Sequence, residues 1–136
     1  MAFLRNLALL AGRIMIAGVF IYDAWLLFSF PEASIAYMAN HGIDPWFYWP
    51  TIVCEFIGGV LIVIGYWTRL AALAFAAFCV TTALVFHTVS VESDVLTQFG
   101  KDMAIAAGFL FLAIAGPGRW SVDNRLAGGE DDDEDE

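Results

Sequence analysis

At 136 residues the chain has the length of one domain, but its makeup is not that of an ordinary water-soluble one. Hydrophobic residues make up 60% and charged residues 15%, where soluble domains carry about 25% charged residues. The formal charge of −9 is mostly the run Glu130–Glu136; the rest carries −2 (−9 less −7), and no basic patch marks a nucleic-acid partner.

Four stretches are each close to the roughly 20 apolar residues needed to cross a hydrocarbon layer about 30 Å thick. The first, Leu7–Phe28, follows a short polar lead. It is too long for a cleaved signal peptide, holds Arg13 and Asp23, and is followed by no small-residue cleavage site. Between Pro31 and Pro50 the chain is less apolar. Glu32–Asn40 predicts a short interfacial helix, with Pro31 in its first turn and Gly42 past its end. His41 reads as a cap or surface residue, and Asp44-Pro45 as a turn. Trp46, Phe47, Tyr48 and Trp49 in succession predict an aromatic belt at the membrane–water boundary, with a stacking site for a flat ligand as the rarer use.

The second stretch is Pro50–Tyr66, with Gly65 placed for a left-handed cap. The link Tyr66–Arg69 is so short that the next helix must be an antiparallel neighbour, and Thr68 is its candidate cap. That third stretch is Leu70–Val89; a polar link, Ser90–Asp94, follows, with Ser93 as a candidate cap. Met103–Ala115 alone is too short to span, so the fourth stretch begins near Leu96 and ends at Ala115, before Gly116-Pro117-Gly118. Arg119–Asp123 is expected at the surface, and residues 127–136 form a disordered acidic tail behind a single transmembrane domain, residues 1–126. Cys54 and Cys79 lack a C-x-x-C pattern and read as small core residues. The fold class is therefore all-α: an integral membrane four-helix bundle with a short interfacial helix between helices one and two. Arg5, Arg69, Arg119 and Arg125 share one side, with Arg13 near it, so the positive-inside rule puts both termini in the cytoplasm.

Charge inside a spanning helix is costly and is retained by pairing, a wet cavity or function. Counting rise per residue puts Asp23, Glu55, His87, Lys101 and Asp102, from four helices, in one layer near the non-cytoplasmic side; Arg13 lies apart, toward the cytoplasm. Glu55 shares a face with Gly58 and Gly59, and Lys101 with Ala104, Ile105 and Gly108. Small residues let helices approach closely, so these groups are expected to point into the bundle. A structural Glu55–Lys101 salt bridge is the plainest reading. Proton exchange through Glu55 and His87, helped by Asp23 or Asp102, is the functional one, because a carboxyl in low dielectric titrates upward and histidine near neutrality. Two carboxylates with His87 have metal-binding chemistry, but no H-x-x-E-type spacing lies within one helix, and no metal is assigned. Arg13 and Arg69 are read as structural charges, Arg13 snorkelling or bonding loop carbonyls near the cytoplasmic face. No nucleophile–base pair, phosphate loop or dinucleotide fingerprint is present.

Several short motifs stand in a characteristic order: Gly12-Arg13, Tyr37-Met38-Ala39-Asn40-His41-Gly42, and Glu55-Phe56-Ile57-Gly58-Gly59 through Gly65 to Thr68-Arg69-Leu70-Ala71-Ala72. Phe86-His87, Lys101-Asp102 and Gly116-Pro117-Gly118-Arg119-Trp120-Ser121-Val122-Asp123 complete the series. In this the chain resembles the DoxX family of bacterial membrane proteins. Where many relatives end helix one with a glycine and a lysine, this chain has Tyr22-Asp23-Ala24. The resemblance implies a multi-pass protein of the bacterial inner membrane, linked to redox systems that include quinone-reducing sulfur oxidation and oxidative-stress complexes. The expected role is an accessory subunit of such a complex, in contact with lipid and with protein partners or further copies of itself. The alternatives are a quinone-binding oxidoreductase using the polar layer, with quinone as the cofactor, and a small transporter.

Overall fold

The computed structural model describes residues 1–87 and 93–128. Four long helices carry the architecture: α1 (Ala2–Ser29), α3 (Tyr48–Ile64), α4 (Thr68–Phe86) and α5 (Ser93–Ala115). Two short ones complete it: α2 (Pro31–Asn40) between α1 and α3, and α6 (Val122–Leu126) after α5. The spans long and apolar enough to cross a membrane are Ala2–Ser29, Pro45–Ile64, Thr68–Phe86 and Asp94–Ala115. The expected end of the third span at Val89, the link after it, the side chain of Ser93 and the acidic run Glu130–Glu136 lie outside the described residues.

The helices pack as two antiparallel pairs, α1 with α3 and α4 with α5, and the pairs join face to face. Their interior is built from small residues and a few large rings. Ala17, Ala72, Ala76, Ala106 and Ala113 let the backbones close in around Phe20, Phe75 and Phe109. Phe75 stacks on Phe109 with ring centroids 5.0 Å apart, and Phe20 lies 4.6 Å from Phe75. A Cβ on Gly59 would lie 2.7 Å from Ile21 Cγ1, so glycine is what allows α3 its approach to α1. The outer surface is the reverse of a soluble protein's: Met15, Val19, Tyr22, Trp25, Phe56, Leu73, Phe111 and Ile114 are exposed. Such continuous apolar cover is solvated by lipid chains.

The turns follow from local chemistry. At the end of α2, Gly42 is left-handed (φ 73°), its N–H donates to Ala39 O, and the Ile43 N–H donates to Met38 O, both at 3.0 Å. Gly65 closes α3 in the same way, at φ 74°. Asp44 caps a 3₁₀ turn, Pro45–Phe47, accepting from the Trp46 N–H at 2.8 Å. The aromatic run is not uniformly a surface belt. Trp46, Phe47 and Trp49 are exposed, but Tyr48 is buried and its hydroxyl donates to Leu27 O at 2.8 Å, pinning α3 to the end of α1.

Candidate functional site

Two contacts set the relative heights of the helices. Gly108 on α5 faces Ile16 on α1, and Gly59 on α3 faces Ile21 and Ala17 on α1. Asp23 lies seven residues beyond Ile16, and Lys101 and Asp102 lie seven and six residues before Gly108, about 10 Å along each antiparallel helix. Glu55 lies four residues before Gly59, which brings it to the height of Asp23. Asp23 is within electrostatic reach of both Glu55 and Asp102.

Within this layer the side chains divide into two groups. Glu55 is 3% exposed, and its Oε2 has no hydrogen-bond partner among the described residues. His87, at the end of α4, is joined to Asp102 on α5 by a 2.9 Å contact between Nδ1 and Oδ2. Buried Cys79 lies within electrostatic reach of Glu55 and Asp102. Together these form a discontinuous ladder of titratable groups, Glu55, Asp23, Asp102 and His87. Lys101 does not join it. It is exposed and forms no ion pair with Glu55. One residue along a helix is a turn of about 100°, and the inward position goes to Asp102, where His87 supplies a partner. Asp23 is likewise exposed, and it belongs to the ladder through its electrostatic reach to Glu55 and Asp102.

At its outer end the ladder reaches a cleft of about 450 Å³ lined by Tyr37, His41, Phe86, His87, Asp94 and Gln98. Tyr37 and Phe86 stack with centroids 5.4 Å apart, and the His41 ring meets Phe86 at 5.0 Å. His41 is the cap residue of α2, and its Nδ1–H donates to Tyr37 O at 2.8 Å. His87 directs Nδ1 at a carboxylate. In neutral form each imidazole then keeps its Nε2 as an acceptor. The sequence signal for this cleft was the i, i+4 pair Tyr37/His41, which the isolated reading of His41 did not connect to Phe86-His87. A second groove, apolar and about 620 Å³, runs between α1 and α3 past Gly18, Tyr22, Trp25, Ile52 and Phe56.

The opposite end is a lock of hydrogen bonds. Arg13 is fully buried; its Nη2 donates to Trp120 O, while Nε and Nη1 have no partner among the described residues. Asp123 accepts from the Trp67 N–H at 2.8 Å, and from the Thr68 N–H and hydroxyl at 2.9 Å each. Its own N–H donates to Gly65 O at 2.8 Å. Burial opposes ionisation of Asp123, but these bonds and nearby Arg13 outweigh it and hold the carboxyl below its usual range. Thr68 is thus not the cap expected for α4. It is the first helical residue, and Asp123, from far along the chain, supplies the capping oxygens. The stretch Arg119–Asp123 is correspondingly not wholly at the surface, since Ser121 is buried. Arg69 donates to Ala113 O and Ile114 O at 3.1 Å, satisfying carbonyls at the end of α5. Between the two ends lies the apolar plug of Ala17, Phe20, Ile62, Phe75 and Phe109. Among the described residues, no group of three or more His, Cys, Asp or Glu side chains is arranged to hold a metal ion.

The DoxX family model matches residues 8–88, which hold Arg13, Asp23, Glu55 and His87. The chain belongs to the DoxX family. It is similar to two Escherichia coli (strain K12) proteins. Inner membrane protein YqjF is 36% identical over 124 residues, covering 90% of this chain and 95% of the relative. Inner membrane protein YphA is 33% identical over 137 residues, covering 89% of this chain and 91% of the relative. No solved structure matches. As a DoxX protein the chain is a small membrane protein with four apolar spans in contact with lipid.

Proposed function

We propose that this DoxX protein is an inner membrane subunit of a quinone-linked redox complex, and that its polar layer exchanges protons at the non-cytoplasmic side. Both termini and the Arg13–Asp123 lock face the cytoplasm in this reading. The observation that carries it is Glu55, a carboxyl almost wholly enclosed, with one oxygen unpartnered, at the inner end of a ladder running through Asp23 and Asp102 to His87. A merely structural acid in that position would be matched to a base, and the available base, Lys101, points away.

The residues present fit a quinone. The aromatic cleft offers two imidazole acceptors for a ring's hydroxyl groups; the apolar α1–α3 groove shares no lining residue with it. When bound, a quinone supplies two-electron, two-proton redox chemistry. His87 would accept or return a proton at Nε2, while Asp102 holds the ring in position. Transport through a single copy is opposed by the apolar plug, which separates the ladder from Arg13.

The test is to capture the protein from native membranes in mild detergent, with its partners, and follow quinone reduction. Glu55→Gln and His87→Ala should each lower turnover by at least about tenfold, while the melting temperature stays near wild type. A chain that copurifies with no redox protein, or variants that lose stability and turnover together, would sink the reading.

A further inference from the structure

His41 and His87 line one cleft, and each is held by its Nδ1, but to partners of different kinds. The Tyr37 carbonyl can only accept, so the neutral His41 ring carries its hydrogen on Nδ1 and keeps its lone pair on Nε2. That ring is not free to turn over. It packs against Tyr37 with centroids 4.4 Å apart and against Phe86 at 5.0 Å, and it makes no ion pair among the described residues. Its Nε2 is therefore a fixed acceptor. His87 is the ring that takes up and returns a proton in the reading above, so its Nε2 alternates between acceptor and donor. The other polar lining groups divide in the same way. An ionised Asp94 only accepts, whereas the Tyr37 hydroxyl and the Gln98 amide turn to offer either role. Among the described residues, no lysine or arginine lines the cleft.

We propose that His41 sets which oxidation state the cleft holds, selecting the hydroquinone over the quinone. This rests on the reading of the cleft as a quinone site. A hydroquinone carries two O–H donors, so each imidazole Nε2 has a donor to accept from. A quinone carries only carbonyl acceptors. It is served by a protonated His87, by Tyr37 or by Gln98, but opposite His41 it sets one lone pair against another. A site built to hydrogen-bond a hydroxyl discriminates against the analogue lacking it, because its own polar group is then left unpaired. The selection has a redox consequence. Binding the reduced form about tenfold tighter raises the midpoint potential of the bound two-electron couple by about 30 mV. Bound quinone thus becomes the better acceptor for electrons delivered by the partner subunit.

The test uses the full chain in lipid nanodiscs at pH 8 without oxygen. The probes are tetramethyl-1,4-benzoquinone and its hydroquinone, and calorimetry gives the Kd of each. Wild type should bind the hydroquinone at least about tenfold tighter. His41→Phe keeps a ring against Phe86 but has no acceptor, and should erase that ratio by weakening the hydroquinone alone. His41→Gln should erase it from the other side, because its amide turns to donate and so tightens the quinone. A His41 that only capped α2 would move both affinities together, and that result would overturn the proposal. Equal wild-type affinities, or a tighter quinone, would overturn it too and leave the quinone reading standing. Binding of neither form would remove that reading as well. The wild-type ratio decides the matter even where a variant fails to fold.

Discussion

Arg13 and Glu55 are both almost inaccessible, yet the fold treats them differently. Arg13 is given a carbonyl, a nearby carboxylate and a glycine that makes room for it. A Cβ on Gly65 would overlap the Arg13 guanidinium and Ser121, at a backbone φ of 74°. Gly65→Ala should therefore destabilise by about 2 kcal/mol or more, combining left-handed strain with displacement of the lock. Thermal unfolding in detergent reads this directly, and an unchanged melting temperature would count against the packing described. Arg13→Lys should also destabilise, since a point charge lacks the planar fork that reaches Trp120 O. At this scale the sequence was legible wherever cost alone identified a residue, as for Arg13, Glu55 and His87. It misled where facing had to be decided between adjacent positions. Ala104 and Gly108 made the Lys101 stripe look interior, but the partner that turned Asp102 inward, His87, is remote in sequence. No local pattern encodes that choice.

Among the elements, the short helix α6 and the turn before it have an effect out of proportion to their length. Trp67 sits at φ 49°, an unfavourable conformation for a large residue, and the Asp123 carboxylate holds it there while capping α4. The ordinary pKa of an aspartate is 3.8, and that of Asp123 is held lower in the fold. Its contribution to stability is thus complete above about pH 4 and is lost as pH falls through the depressed folded value. Wild type should lose melting temperature steeply below about pH 4. Asp123→Asn should start lower, by about 1–2 kcal/mol, and show a flatter acid limb. Parallel acid limbs would exclude Asp123 as the source. Helix ends marked by glycine or proline (Gly42, Gly65 and Gly116) were readable because the backbone itself demands those residues. The start of α4 was not. Thr68 has the side chain of a cap, but the capping atom arrives from residue 123 through tertiary packing. Tyr48 was hidden for a related reason: its aromatic neighbours resemble a belt, and only the approach of Leu27 shows which ring turns inward.

For the whole molecule, the count of spans was set by bilayer thickness and was plain from composition. The short link Tyr66–Arg69 marked α3 and α4 as antiparallel neighbours, but it did not signal the closer pairing of α1 with α3 and α4 with α5, and the depth of the joint between pairs depends on alanines that any apolar helix would contain. The proposed orientation has its own consequence. Single cysteines at Asn124 and Asn40, in a background lacking Cys54 and Cys79, should react with an impermeant maleimide from opposite sides of the membrane. In spheroplasts the Asn40 position should label and the Asn124 position should not; the reverse pattern would invert the topology.

The band of rings and alanines around Phe75 and Phe109 has a physiological corollary. In the proposed reading the buried acid is reachable from one face only and so cannot short-circuit the proton-motive force. Abundant expression should therefore leave the host's membrane potential intact, whereas opening that band with Phe109→Asp should make the same cells leaky to protons and slow their growth on respiratory substrates.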